Sequence, residues 1–193
     1  MLSQPLQTPT QRQIEVLVAV NHPLVAMAPE GPFLTTAPED PFLALATDAE
    51  WQHWFGVWIE ALRVNLSPIG LYEVGLQFTD DAGIQQLNAA YRQQDKPTDV
   101  LAFAALEDTL PQVQDLLQTE PLYLGDIIIS LDTAQRQAAE QGHPLRQEAI
   151  WLSAHGFLHL LGWDHPDDES LVKMLEKQAD LLAQIGLIDK KSS

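Results

Sequence analysis

The segment HGFLHLLGWDH, residues 155 to 165, places three of the chain's six histidines within eleven residues, with Gly162 between the last two. On a helix, residues four apart project from the same face, so His155 and His159 can both turn a ring nitrogen towards one point. Gly162 lets the chain leave the helix and swing His165 back to that point. Catalytic metal sites need this arrangement: two ligands from a rigid element, a third from a turn, and a fourth position left for water. Three neutral imidazoles leave a zinc ion its charge, which lowers the pKa of a bound water to about 7. The plainer alternative is two buried histidines hydrogen-bonded to backbone, with His165 in solvent. Three histidines at ligand spacing beside a glycine favour the metal.

The spacing is that of the metzincin proteases, HExxHxxGxxH, but Gly156 stands where those enzymes carry the glutamate that activates water. A metal-dependent peptidase is therefore the weaker reading. A serine triad built on Asp164 and His165 is weaker still, because neither Ser130 nor Ser153 sits in a Gly-x-Ser-x-Gly elbow.

The rest of the chain must position these rings. Its 193 residues, 46% of them hydrophobic, suit one domain with a single core. There are no cysteines, so any metal must take nitrogen and oxygen ligands. No stretch has the roughly 20 apolar residues of a bilayer span, and the first residues lack a signal-peptide pattern, which leads us to expect a soluble cytoplasmic protein. A formal charge of −17 repels polyanions in general, so nucleic-acid binding would have to use a local basic patch.

Periodicity predicts the elements. Ile14 to Val20 reads as a strand. A proline-rich insertion or loop at about 21–46 follows, with five of the 13 prolines between His22 and Phe42. Thr47 and Glu50 form a capping box for a helix whose Trp51, Trp54, Phe55, Trp58, Ile59 and Leu62 share a face. Leu71 to Thr79 is a strand, and Thr79-Asp80-Asp81 caps a helix through Ile84, Leu87 and Tyr91. Asp99 to Phe103 is a short strand, followed by an acidic exposed excursion at 107–121. Leu122 to Ser130 is a buried strand, and Ser130 caps a helix to Gln141. Pro144 opens the histidine helix, which ends near Gly162. A last helix, from about Asp167 to Gly186, carries Leu171, Met174, Leu175, Leu182 and Ile185 on one stripe. Mixed strands and helices predict an α/β or α+β domain.

A second cluster, LNAAYRQQDKPTDVLAF from Leu87 to Phe103, sets Arg92 and Lys96 between a helix and a strand in a chain with only ten basic residues. A guanidinium can fork onto phosphate; an ordinary ion pair of Arg92 with Asp95 or Asp99 is an equal alternative. Together, HGFLHLLGWDH, LNAAYRQQDKPTDVLAF and LGDIIIS resemble, in that family's order, the YbeY family of zinc-dependent endoribonucleases that mature ribosomal RNA, over about Leu71 to Ile185. The resemblance implies a single α+β domain spanning residues 1–193, with a small mixed β-sheet flanked by helices and a metalloprotease-like helix carrying the site. It implies one zinc ion per chain held by His155, His159 and His165, and a catalytic contribution from Arg92. It further implies single-strand-specific cleavage in 3′-end maturation of small-subunit ribosomal RNA and in ribosome quality control. The implied partners are the ribosome and its RNA, ribosomal proteins and a ribosome-associated GTPase. A non-enzymatic ribosome-assembly factor with a structural metal is the other alternative. Trp163, Ala102 and the proline-rich stretch depart from the family pattern. Asp164 is expected to cap or to orient a ring rather than to ligate.

Overall fold

The structure, a computed structural model, describes residues 14–21, 45–105 and 118–188. Most of the proline-rich stretch and of the acidic 107–121 segment lies outside the described residues. Among these residues four strands form one mixed sheet: β1 (Glu15–Asn21), β2 (Leu71–Thr79), β3 (Val100–Ala104) and β4 (Leu122–Ser130). Their spatial order is β1-β2-β4-β3, with β1, β2 and β4 parallel and β3 antiparallel at the edge. Five helices accompany them among the described residues: α1 (Asp48–Ala61), α2 (Asp81–Arg92), α3 (Leu131–Gln141), α4 (Leu145–Leu160) and α5 (Asp168–Gln184). This is the expected α+β domain.

Alternation along the strands decides which face each helix covers. Tyr72, Val74, Leu76 and Phe78 of β2 and Leu124, Ile127 and Ile129 of β4 point into the main core, which also takes side chains from α1, α4 and α5. Ile128 of β4 and Leu101 of β3 point the other way and meet Ile84, with Leu87 and Phe103 beside them. Thus α2 lies on one face of the sheet, and the histidine helix α4 lies on the other.

The helix ends follow their predicted chemistry. Thr47 and Glu50 form the reciprocal capping box of α1. Asp80 caps α2, and Ser130 caps α3. Helix α4 closes at Leu160, with Gly162 in the left-handed position just past its end as expected. Two expectations move. Leu175, read as part of the stripe of the last helix, is exposed. Tyr91, read as part of the α2 stripe, is 66% exposed.

Helix α4 is gripped by the sheet and by α1, and ten of its residues are buried. Against the sheet, Gly156 leaves no space for a side chain, since a Cβ there would stand 2.7 Å from Ile127 Cγ2 and 3.4 Å from Val100 Cγ2. Against α1, the Phe157 ring packs edge-on to Phe55 at 5.2 Å and lies 6.0 Å from Trp58. Trp58 Nε1–H donates to the Leu181 carbonyl at 3.1 Å, so the same aromatic cluster also anchors α5. At its start, Arg146 lies over the Trp54 ring at 5.1 Å and pairs with Glu50 at 2.7 Å.

Glu50 therefore serves two helices. The Thr47 backbone N–H, the Arg146 guanidinium and the Thr47 hydroxyl together hold its carboxyl down from the ordinary 4.5 to about 2. A carboxyl depressed on folding stabilises the folded state above its unfolded pKa and loses that contribution as pH falls through the folded value. Because the pair is partly solvated, Glu50→Gln should cost about 1 kcal/mol at neutral pH. Denaturant titrations of both proteins should show that gap closing between about pH 5 and about pH 2. A pH-independent gap would contradict the role of the charge.

Candidate metal centre

His155 and His159 project from the last two turns of α4, and His165 stands in the turn before α5. One ring nitrogen from each lies within 4.8 Å of the other two, a grouping able to hold a metal ion. The ring centroids are separated by 4.8 to 5.4 Å. All three histidines are half-buried.

The two helical rings are locked in orientation by their Nδ1 atoms. His159 Nδ1 lies 2.8 Å from the Trp163 carbonyl oxygen, an acceptor only, so Nδ1 carries the proton. His155 Nδ1 lies 3.1 Å from Gln178 Oε1 on α5. The Gln178 amide is itself oriented, because its Nε2 donates to the Trp151 carbonyl at 2.9 Å. Its oxygen therefore faces the imidazole, and Nδ1 of His155 also carries the proton. Both Nε2 atoms are left as bare acceptors, and they face each other at 3.2 Å.

Two lone pairs that close repel unless something positive sits between them. Two imidazole nitrogens at 2.0 to 2.1 Å from one tetrahedral zinc are about 3.3 Å apart, so the observed spacing fits a shared cation. Burial, ahead of every other influence, pushes the His155 and His159 imidazoles below their usual pKa; His165 pushes both the same way, and His155 adds to the effect on His159. Neutral rings, the form a metal requires, are thus favoured.

The glycine turn does two jobs. Gly162 takes the left-handed φ of +84°, and its N–H and that of Trp163 close back on the carbonyls of His159 and Leu158. That turn aims the Trp163 carbonyl at His159 and returns the chain towards His165. Asp164 accepts from the His165 backbone N–H at 2.8 Å, so it braces this turn as a cap and not through an imidazole.

Gly156 faces Ile127 and Val100, so the sheet occupies the space a glutamate would need at that position. Arg92 stands exposed in the last turn of α2. Among the described residues no ion pair joins it to Asp95 or Asp99. Asp95 accepts instead from Gln85, and Asp99 from Gln137, Thr98 and the Val100 backbone. No hydrogen bond links Arg92 to the histidines among the described residues.

Two contributors escape the reading of the motif. Trp151 stacks on the His155 ring, with centroids 5.7 Å apart and planes within 3°; its position four residues earlier on the helix was the available signal. Gln178 is 1% exposed. It sits four residues after buried Met174 and three or four before buried Leu181 and Leu182, so a polar residue in an apolar stripe marked it.

Removing the amide while keeping its bulk isolates its orienting role. Gln178→Leu should weaken metal binding by about 10- to 100-fold in a competition with a chromogenic chelator, with the fold retained. Affinity equal to wild type would show that the ring needs no such partner. Gly156→Ala should lose about 1 to 3 kcal/mol of stability in denaturant unfolding because the added methyl meets Ile127. A stabilised variant would mean that the helix–sheet contact yields easily.

Comparison with known proteins places this geometry in context. Residues 43–186 match the family model described as Endoribonuclease YbeY. A protein of that name from Nostoc sp. is 60% identical over 139 residues, covering 72% of this chain and 75% of its own. Its counterpart from Trichormus variabilis is 58% identical over 141 residues, covering 73% and 80%. A solution structure from Thermotoga maritima aligns at 25% identity with a TM-score of 0.46, covering 72% of this chain and 84% of that one. On the extent of the family match and the identity to these relatives, the chain belongs to the YbeY endoribonuclease family.

Proposed function

We propose that this protein is a zinc-dependent endoribonuclease that cuts single-stranded RNA, with one zinc ion per chain held by His155, His159 and His165. The observation that carries the proposal is the pair of bare Nε2 atoms 3.2 Å apart, with a third imidazole beside them, in a chain whose relatives are named endoribonucleases. Bound there, zinc would supply a Lewis acid that polarises a phosphoryl oxygen and eases deprotonation of water.

The chain's own groups would do the rest. Gln178 and the Trp163 carbonyl keep the two helical imidazoles in the tautomer that presents Nε2. Arg92, with no carboxylate partner among the described residues, is free to bind a phosphate and stabilise the charge that develops on it. The acidic remainder of the surface would confine RNA to that neighbourhood and favour release elsewhere.

Family resemblance supports a biological setting in 3′-end maturation of small-subunit ribosomal RNA and in ribosome quality control. The partners would be the ribosome, ribosomal proteins and a ribosome-associated GTPase, in the cytoplasm. Among the described residues no helix is long and apolar enough to cross a membrane. Peptide hydrolysis is disfavoured by Gly156, whose Cβ position is taken up by the sheet.

Purified protein incubated with single-stranded RNA should cut it, stop when a chelator is added, and leave casein intact. Cleavage of casein and not RNA would replace this function with the peptidase; cleavage of neither, with metal retained, would favour an assembly factor. Arg92→Ala should lower RNA cleavage on the order of 100-fold while metal content stays at the wild-type level. Unaltered cleavage would remove Arg92 from the mechanism.

A further inference from the structure

We propose that Tyr91 is a stacking platform for an unpaired base of the RNA substrate, with Arg92 and Lys96 taking the flanking phosphates. The proposal rests on the RNA-cleaving reading and adds the feature that selects single strands.

Tyr91 is 66% exposed, the largest exposure among the large hydrophobic side chains of the described residues. Its ring is not loose: it meets Phe103 of β3 edge-on, with centroids 5.0 Å apart and planes at 70°. The contact braces the phenol on one side and leaves most of the residue in solvent. An aromatic ring held in this way binds a nucleobase at little entropic cost, and any base has a face to offer.

The backbone that carries the neighbouring cations is held in place as well. After α2, Gln93 adopts a left-handed φ of 58°, and the N–H groups of Gln93 and Gln94 both close on the Asn88 carbonyl. The buried Asn88 side chain then donates from Nδ2 to the Lys96 carbonyl at 2.8 Å. The turn from 93 to 96 is thereby tied to the helix that displays Tyr91 and Arg92. Neither Arg92 nor Lys96 has an ion-pair partner among the described residues, in a chain of charge −17. Asp95, the acid between them, is engaged by Gln85 Nε2 at 2.8 Å.

In so acidic a chain the cations of Arg92 and Lys96, unpaired among the described residues, are what draws a phosphate backbone to this end of α2.

Topology connects the platform to the histidines. Phe103 packs on the α2 face of the sheet, whereas Val100 of the same strand packs towards Gly156 on α4. Among the described residues strand β3 is one edge of the sheet. A flexible single strand with a base on Tyr91 can turn round that one strand towards the metal site. A duplex is too stiff for that turn and has no free base face to stack.

The test uses a short single-stranded RNA carrying one 2-aminopurine, its duplex form, and the full-length wild type, Tyr91→Ala and Tyr91→Phe. Tyr91→Ala should weaken single-strand binding by about 5- to 100-fold, lose the 2-aminopurine quenching and raise KM for cleavage, with metal content unchanged. Tyr91→Phe should behave as wild type, and duplex binding should be weak in all three. Wild-type affinity and quenching in Tyr91→Ala would overturn the platform, as would an equal loss in Tyr91→Phe, which would point to the hydroxyl. A wild type that binds the single strand and quenches through Tyr91 without cutting it would sink the endoribonuclease and leave the platform standing. A wild type that binds no single strand would overturn the platform.

Discussion

The interaction on which the site depends is the repulsion between two imidazole lone pairs held 3.2 Å apart. Hydrogen bonds at the far side of each ring remove the simplest escape, which is to flip or to exchange tautomers. One Nδ1–H donates to a carbonyl in the glycine turn and the other to an amide oxygen on α5. The fold keeps two acceptors face to face in a half-buried place where protonation is disfavoured. A cation would resolve that conflict, so the capacity to hold a metal lies in the packing of α4 and not only in the identity of the residues.

That packing explains the surrounding composition. Phe157, between the two helical histidines in sequence, is pressed against Phe55 and Trp58, and Trp58 in turn holds α5 by its indole N–H. The helix that supplies Gln178 is thus fixed by the same cluster that fixes the histidine helix. Gly156 lets α4 approach Ile127 and Val100, a close contact that excludes any side chain at that position. The spacing shared with metzincin proteases therefore serves a different local demand here: one position is given to helix–sheet contact instead of to a base.

Much of this was legible in the residues. The capping box at Thr47 and Glu50, strands β2 and β4 and the Ser130 cap follow from local chemistry, and each was found where the pattern placed it. The convergence of the three histidines followed from helical spacing plus one glycine. What escaped depends on which element packs on which. Tyr91 and Leu175 fit apolar stripes yet are exposed, because apolar character does not by itself imply a partner. Gln178 was passed over for the opposite reason: a glutamine reads as surface until a neighbouring helix is known to need its amide. That Arg92 has no ion-pair partner among the described residues was legible only as one of two alternatives, and the choice turned on where Asp95 and Asp99 spend their oxygens.

X-ray absorption of the protein purified without nickel resin and loaded with zinc tests the centre of this account most directly. Three imidazole nitrogens at about 2.0 to 2.1 Å, with one further light atom completing four-coordination, is the predicted first shell. A shell dominated by carboxylate oxygens, or a protein that takes up no zinc when all three rings are intact, would contradict it.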